Sequence, residues 1–154
     1  MGLPFGVKIL GVETNRTVLE YLSHRYNHLK EYWAGNPSSS PESLGPVPEL
    51  GTIPELVDWL WKDVQRQIPS SRPWVVLGTA TLVNPTSEVI FALVAGSDCA
   101  IRLPKKIQHL VDATSVEPLP KRLSALGKDW FLVDISYNAE QLWETALEYS
   151  ESAR

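Results

Sequence analysis

Between Trp74 and Leu103 the chain is dominated by β-branched, aromatic and other apolar residues, and two clusters of turn formers cut that stretch into pieces. Trp74–Val83 reads as one strand. Asn84-Pro85-Thr86-Ser87 is a turn, and Val89–Ala95 a second strand. Gly96-Ser97-Asp98 is a second turn, and Cys99–Leu103 a third strand. Parallel strands need crossovers of a dozen or more residues, so links this short require an antiparallel meander.

Helical patterns flank the meander. Ile53, Leu56, Val57, Leu60, Trp61, Val64 and Ile68 make one apolar stripe over residues 53–68. Thr52 and Glu55 have capping-box spacing, Pro54 fits the first turn and Pro69 ends the pattern. After the third strand, Pro104 opens a short helix carrying Ile107, Leu110 and Val111, and residues 113–128 read as irregular. Trp130–Ile135 is a further strand. Asn138 and Gln141 then cap a last helix with Ala139, Leu142, Trp143, Ala146 and Leu147 on one face. The order is helix, three-stranded antiparallel meander, helix, strand, helix. Grouped strands of this kind indicate an α+β fold rather than a doubly wound sheet.

Upstream, residues 1–35 form an N-terminal appendage. Gly6–Val12 suits a short strand, and a helix beginning near Asn15 carries Val18, Leu22, Tyr26, Leu29 and Trp33 at three- and four-residue steps. Residues 36–51 hold four prolines and three consecutive serines, which suit neither a helix nor a central strand, so this segment reads as a linker to a body spanning 52–154.

Composition narrows the function classes. With 44% hydrophobic and 21% charged residues the chain is an ordinary globular one, and no apolar run reaches the ~20 residues of a membrane-spanning helix. Cys99 is the single cysteine, which forbids an intrachain disulfide. With no secretory signal at the start, it points to a reducing, cytoplasmic setting. The net charge of −4 disfavours nonspecific nucleic-acid binding.

The body, from about residue 53 to 152, resembles the N-terminal domain of the Sxy/TfoX competence-regulator family. The resemblance rests on Leu77-Gly78 and Leu82-Val83-Asn84, on Ala100-Ile101-Arg102-Leu103-Pro104, on Asp129-Trp130-Phe131-Leu132-Val133-Asp134, and on Leu142-Trp143-Glu144-Thr145-Ala146-Leu147. The family's Arg-Lys-Met-Phe-Gly-Gly stretch is replaced here by Trp74-Val75-Val76-Leu77-Gly78. The resemblance implies a fold like that of type III secretion chaperones, which are small acidic α+β proteins that bind other proteins. It carries over no catalytic residues and no cofactor.

Several residues invite a chemical reading. His24 and His28, with Glu20 and Glu31 on the same side of the first helix, have the donor types of a divalent-metal site, although a solvated helix face explains them as well. Cys99 has His109 and Asp112 as its only visible base system, while a free cysteine is most often a buried small hydrophobe. Gly96-Ser97-Asp98 lacks a nucleophile-elbow context and fits a hairpin turn. Over residues 100–130, Arg102, Lys105, Lys106, Lys121, Arg122 and Lys128 outnumber Asp112, Glu117 and Asp129. Over 131–154, acidic residues dominate.

Trp59 is the residue that packing leaves over. It points about 120° or more from the centre of its helix stripe, so it needs a second contact surface. That surface is either the N-terminal helix, with Tyr26 and Trp33, or another molecule. The expected function is a non-enzymatic protein-binding or regulatory module. Trp59, Trp33, Tyr26, Lys105 and Lys106 are the contact residues, and the partner is another protein or a second copy. The alternative is a small metal-binding protein or enzyme using His24/His28 or Cys99/His109.

Overall fold

The computed structural model describes residues 8–32, 52–104, 116–133 and 140–152. Short 3-10 turns at Ile9–Gly11 and Glu13–Asn15 lead into helix α1, Arg16–Tyr32. Helix α2 follows in three parts: α-helical over Pro54–Asp58, π-helical over Trp59–Val64 and α-helical again over Gln65–Gln67. Strands β1 (Arg72–Val76), β2 (Thr79–Val83), β3 (Ile90–Ala95) and β4 (Asp98–Arg102) come next. Strand β5 (Val116–Pro118), a 3-10 helix Lys121–Leu126, β6 (Trp130–Val133) and helix α3 (Glu140–Ser152) complete the order. The strands form one antiparallel sheet in the order β1-β2-β3-β4-β6-β5. The α+β class expected from grouped strands is the class observed.

Both faces of the sheet are covered. On one face Leu56, Leu60, Val64 and Ile68 of α2, and Leu142, Trp143 and Ala146 of α3, pack on Leu82, Phe91, Val94, Cys99, Ile101, Phe131 and Val133. On the other, Ile9, Val18 and Leu22 from the N-terminal segment join Leu123 and Leu126 of the 3-10 helix over Val76, Val83, Ile90, Leu93, Ala100 and Trp130. Strands with two covered faces read as continuous apolar runs, and β2 and β3 are buried at every position. The N-terminal helix therefore contributes its stripe to a core shared with the body.

Four local expectations are corrected. The single strand over 74–83 is two strands, because Leu77 and Gly78 take φ of 49° and 76° and close a two-residue turn of the I′ kind. Leucine rarely occupies that left-handed position, so the turn carries no sequence signal. The four-stranded meander and the added β5 replace the three-stranded one. Of the strand expected over Gly6–Val12, the described part from Lys8 on holds a 3-10 turn at Ile9–Gly11, followed by another at Glu13–Asn15. Thr52 does not cap α2; Ile53 holds the N-cap position without a side-chain bond, and Thr52 Oγ1 instead accepts Arg25 Nη2 at 2.8 Å and Gly96 N–H at 3.3 Å. The expected helix at 104–111 and the Asn138 cap lie outside the described residues.

The π segment has a packing reason. Leu56, Leu60, Val64 and Ile68 recur at strict four-residue steps, and in an α-helix such a row drifts about 40° per step. A π turn, with Gln65 N–H reaching Leu60 O, is wider and takes up that drift, so all four stay buried.

The β2–β3 connection ties the two helical layers to the sheet. Asn84 Oδ1 accepts the N–H groups of Thr86 and Ser87 at 2.8 and 3.1 Å. Its Nδ2 donates to Leu147 O and Ser150 Oγ in α3. Ser87 Oγ donates to Ser150 O at 2.9 Å. On the opposite side Asn15, fully buried, donates Nδ2 to Ile9 O at 3.0 Å and Glu88 O at 2.8 Å, and its Oδ1 accepts Ile90 N–H at 2.8 Å. Glu88 sits at φ 58°, a left-handed conformation that L side chains rarely adopt.

Candidate functional site

Trp59 begins the π segment of α2, is half-buried, and meets Trp143 of α3 edge to face, with ring centroids 5.8 Å apart and planes at 68°. The N-terminal helix does not cover it, since α1 packs on the opposite face of the sheet. Trp61, the neighbouring indole, donates Nε1 to Thr81 O at 2.9 Å and is thereby fixed to the sheet. Of the other expected contact residues, Tyr26 is half-buried on α1, and Trp33, Lys105 and Lys106 lie outside the described residues.

The histidines do not converge. His24 and His28 are both exposed and border different hollows, one beside Leu10, Val12 and Leu19, the other beside Tyr21 and Arg25. Among the described residues no group of three histidine, cysteine, aspartate or glutamate side chains is arranged to hold a metal ion. Cys99 is 2% exposed within the α2/α3 core, and burial, with Asp98 adding to it, pushes its thiol far above the ordinary range. A thiolate nucleophile needs the opposite environment. The Cys-His reading is therefore corrected at its cysteine; His109 lies outside the described residues. Gly96-Ser97 is a hairpin turn as expected, with Gly96 at φ 63° in the first central position of a II′ arrangement.

Two polar constellations went unread in the sequence. The first is a groove of about 340 Å³ between α1, the β3–β4 turn and the 3-10 helix. Tyr21, Arg25 and His28 line it from α1 at positions i, i+4 and i+7. Ser97 and Asp98 line it from the turn, and Arg122 from the 3-10 helix. Arg122 Nε and Nη2 hold the two carboxylate oxygens of Asp98, both at 2.7 Å. Arg25 donates to Thr79 Oγ1 at 2.7 Å as well as to Thr52, and burial lowers its pKa. Burial raises the Tyr21 phenol, against the pull of Arg25.

The second is a buried arginine. The Arg102 side chain is only 9% exposed, lies 4.3 Å from the centre of the Tyr149 ring, and faces Asp129 Oδ2 at 3.8 Å. Tyr149 OH donates to the same Asp129 oxygen at 3.3 Å. Arg102 Nη1 is buried with no hydrogen-bond partner, and burial lowers the guanidinium pKa against the pull of Tyr149 and Asp129.

Among the described residues no helix is long and apolar enough to cross a membrane. No protein-family model matches the chain, and neither a curated protein nor a solved structure is similar to it at a significant level, so what the chain does is read from its own residues and their geometry.

Proposed function

We propose that the chain is a non-enzymatic protein-binding or regulatory module of the TfoX-like kind its sequence resembles, working in the cytoplasm and contacting another protein or a second copy through the helical surface around Trp59. One observation carries this reading: a π-helical segment holds a tryptophan half-exposed against Trp143 at the α2–α3 seam. π segments are rare and recur at functional sites, and tryptophan is the residue most enriched where partners bind tightly.

The sheet supports the same reading by offering partners little. Its faces are covered, and its edges are blunted. At β1 the turn-flanking pair Val76 and Thr79 sets the alternation, so the outward-facing amide positions are Val75 and Pro73, and the second of these has no N–H. At the other edge β5 is three residues long and ends in Pro118. Recognition then falls to helix surfaces.

The test compares wild type with Trp59→Lys, in two assays. Mass by light scattering across a concentration series reads self-association, and affinity capture from the native host with quantified stoichiometry reads a second protein. A partner or dimer held by the wild type and lost from a Trp59→Lys variant of unchanged melting temperature supports the proposal. A monomer that retains no stoichiometric partner, or one whose partner is indifferent to Trp59→Lys, refutes it.

A further inference from the structure

We infer that the groove between α1 and the β3–β4 turn is a binding site for a small oxyanion-bearing ligand, one carrying a carboxylate or phosphate group. This stands apart from the Trp59 surface, which lies on the other side of the sheet. Its volume of about 340 Å³ falls at the lower end of small-ligand cavities.

Three elements distant in sequence converge on it, and they bring donors. The Tyr21 hydroxyl, the His28 ring and the Ser97 hydroxyl make no hydrogen bond within the described structure, so all three are uncommitted. Tyr21 is half-buried and lies within electrostatic reach of Arg25, Asp98 and Arg122. Arg25 is anchored from behind by the Thr52 and Thr79 hydroxyls, which fix its position without adding negative charge. Arg122 is fixed at the rim by its two bonds to Asp98. Among the described residues that line it, two guanidinium groups stand against one carboxylate, inside a chain whose net charge is −4. Guanidinium groups favour planar or tetrahedral oxyanions, and hydroxyl and imidazole donors complete such a shell. Leu29, Ala95 and Leu123 supply an apolar margin for the carbon part of the ligand.

The experiment is a heteronuclear NMR titration of the full chain at about 50 mM salt, where surface charge pairs are still felt but partly screened. The probes are pyrophosphate, succinate and, as a cationic control, putrescine. Saturable shifts centred on Tyr21, Ser97 and Arg122 with pyrophosphate or succinate, and none with putrescine, are expected. Whichever anion binds more tightly distinguishes the phosphate from the carboxylate source. Arg122→Ala and, separately, Tyr21→Phe weaken that affinity, the arginine change by at least about tenfold, as loss of a charged hydrogen bond implies. Shifts that stay linear, that spread over lysines elsewhere, or that persist unchanged in both variants overturn the inference. Tyr21→Phe removes a single oxygen, so it keeps the comparison valid should Arg122→Ala disturb the Asp98 turn. A chain that binds pyrophosphate here yet has no Trp59 partner refutes the proposed function and leaves this site standing, and the reverse also holds.

Discussion

Asn15 is where a single side chain holds the N-terminal segment to the sheet, and Asn15→Ala exposes how much that contact is worth. The side chain is fully buried and makes three bonds, to Ile9 O, Glu88 O and Ile90 N–H, of which two span more than seventy residues of sequence. Alanine leaves three backbone groups without that partner in the interior. Each stranded group costs about 1–3 kcal/mol, and partial relaxation brings the whole to about 3–5 kcal/mol. Against a total stability of about 5–15 kcal/mol this is a large fraction, and at this chain length it lowers the melting temperature by roughly 10 °C. Asn15→Asp makes the argument specific. The aspartate keeps an acceptor for Ile90 N–H but sets a carboxylate oxygen against the Ile9 and Glu88 carbonyls. Its folded pKa must then rise above the ordinary value near 3.9. A group with a raised folded pKa contributes fully below its unfolded pKa and loses that contribution as pH rises through the folded one. Asn15→Asp is therefore closer to wild type at pH 4 than at pH 7. Urea unfolding followed by tryptophan fluorescence measures both effects. A loss below about 1 kcal/mol for Asn15→Ala, or no pH trend for Asn15→Asp, refutes the reasoning.

Other consequences are simpler to state. Arg102→Met changes stability little or raises it by about 1 kcal/mol, because it removes a buried guanidinium with one unpartnered nitrogen, whereas Asp129→Ala, which leaves that charge buried beside Tyr149, costs about 2 kcal/mol or more. Denaturant melts of the two variants check the order, and the reverse order refutes it. Pro73→Val restores an outward-facing amide to the β1 edge and promotes edge-to-edge association beyond that of the wild type, read as a larger rise in scattering mass toward millimolar concentration. Cys99 resists a thiol reagent at pH 8 in the folded protein, with a labelling rate that follows unfolding in a denaturant series; fast labelling without denaturant contradicts its burial.

The elements legible in the sequence are those that a local pattern marks. The α2 stripe, the Asn84–Ser87 and Gly96-Ser97 turns and the start of α1 beside Asn15 all appear where residue type and spacing place them. What stayed hidden has a physical cause in each case. The Leu77-Gly78 turn uses a leucine where asparagine or glycine is usual. Thr52 has the right residue type for a cap, yet its hydroxyl is spent on Arg25 and Gly96. Asn15 likewise looks like a cap, and its side chain is spent on Ile9, Glu88 and Ile90. Side chains that can satisfy a local helix end can equally satisfy a distant strand, and spacing does not distinguish the two uses.

The two candidate surfaces differ in legibility for the same reason. Trp59 is conspicuous because a single helix predicts where each of its residues points, and this one misses the stripe. Its covering partner, Trp143, comes from the far end of the chain. The π segment that sets its angle is likewise invisible in composition. The groove had no local mark at all. Tyr21, Arg25 and His28 look like the ordinary polar flank of an amphipathic helix, and Asp98 and Arg122 are separated by 24 positions until the sheet and the 3-10 helix bring them together. An antiparallel sheet covered on both faces spends nearly all of its apolar side chains inward, and here Leu10 and Ile53 alone among the large hydrophobics of the described residues are exposed, at 55% and 43%. The described part of the fold therefore has little greasy surface to spare. The surfaces proposed above for recognition are instead a half-buried aromatic, Trp59, and a charged hollow between elements, and both come into being only once the chain has folded.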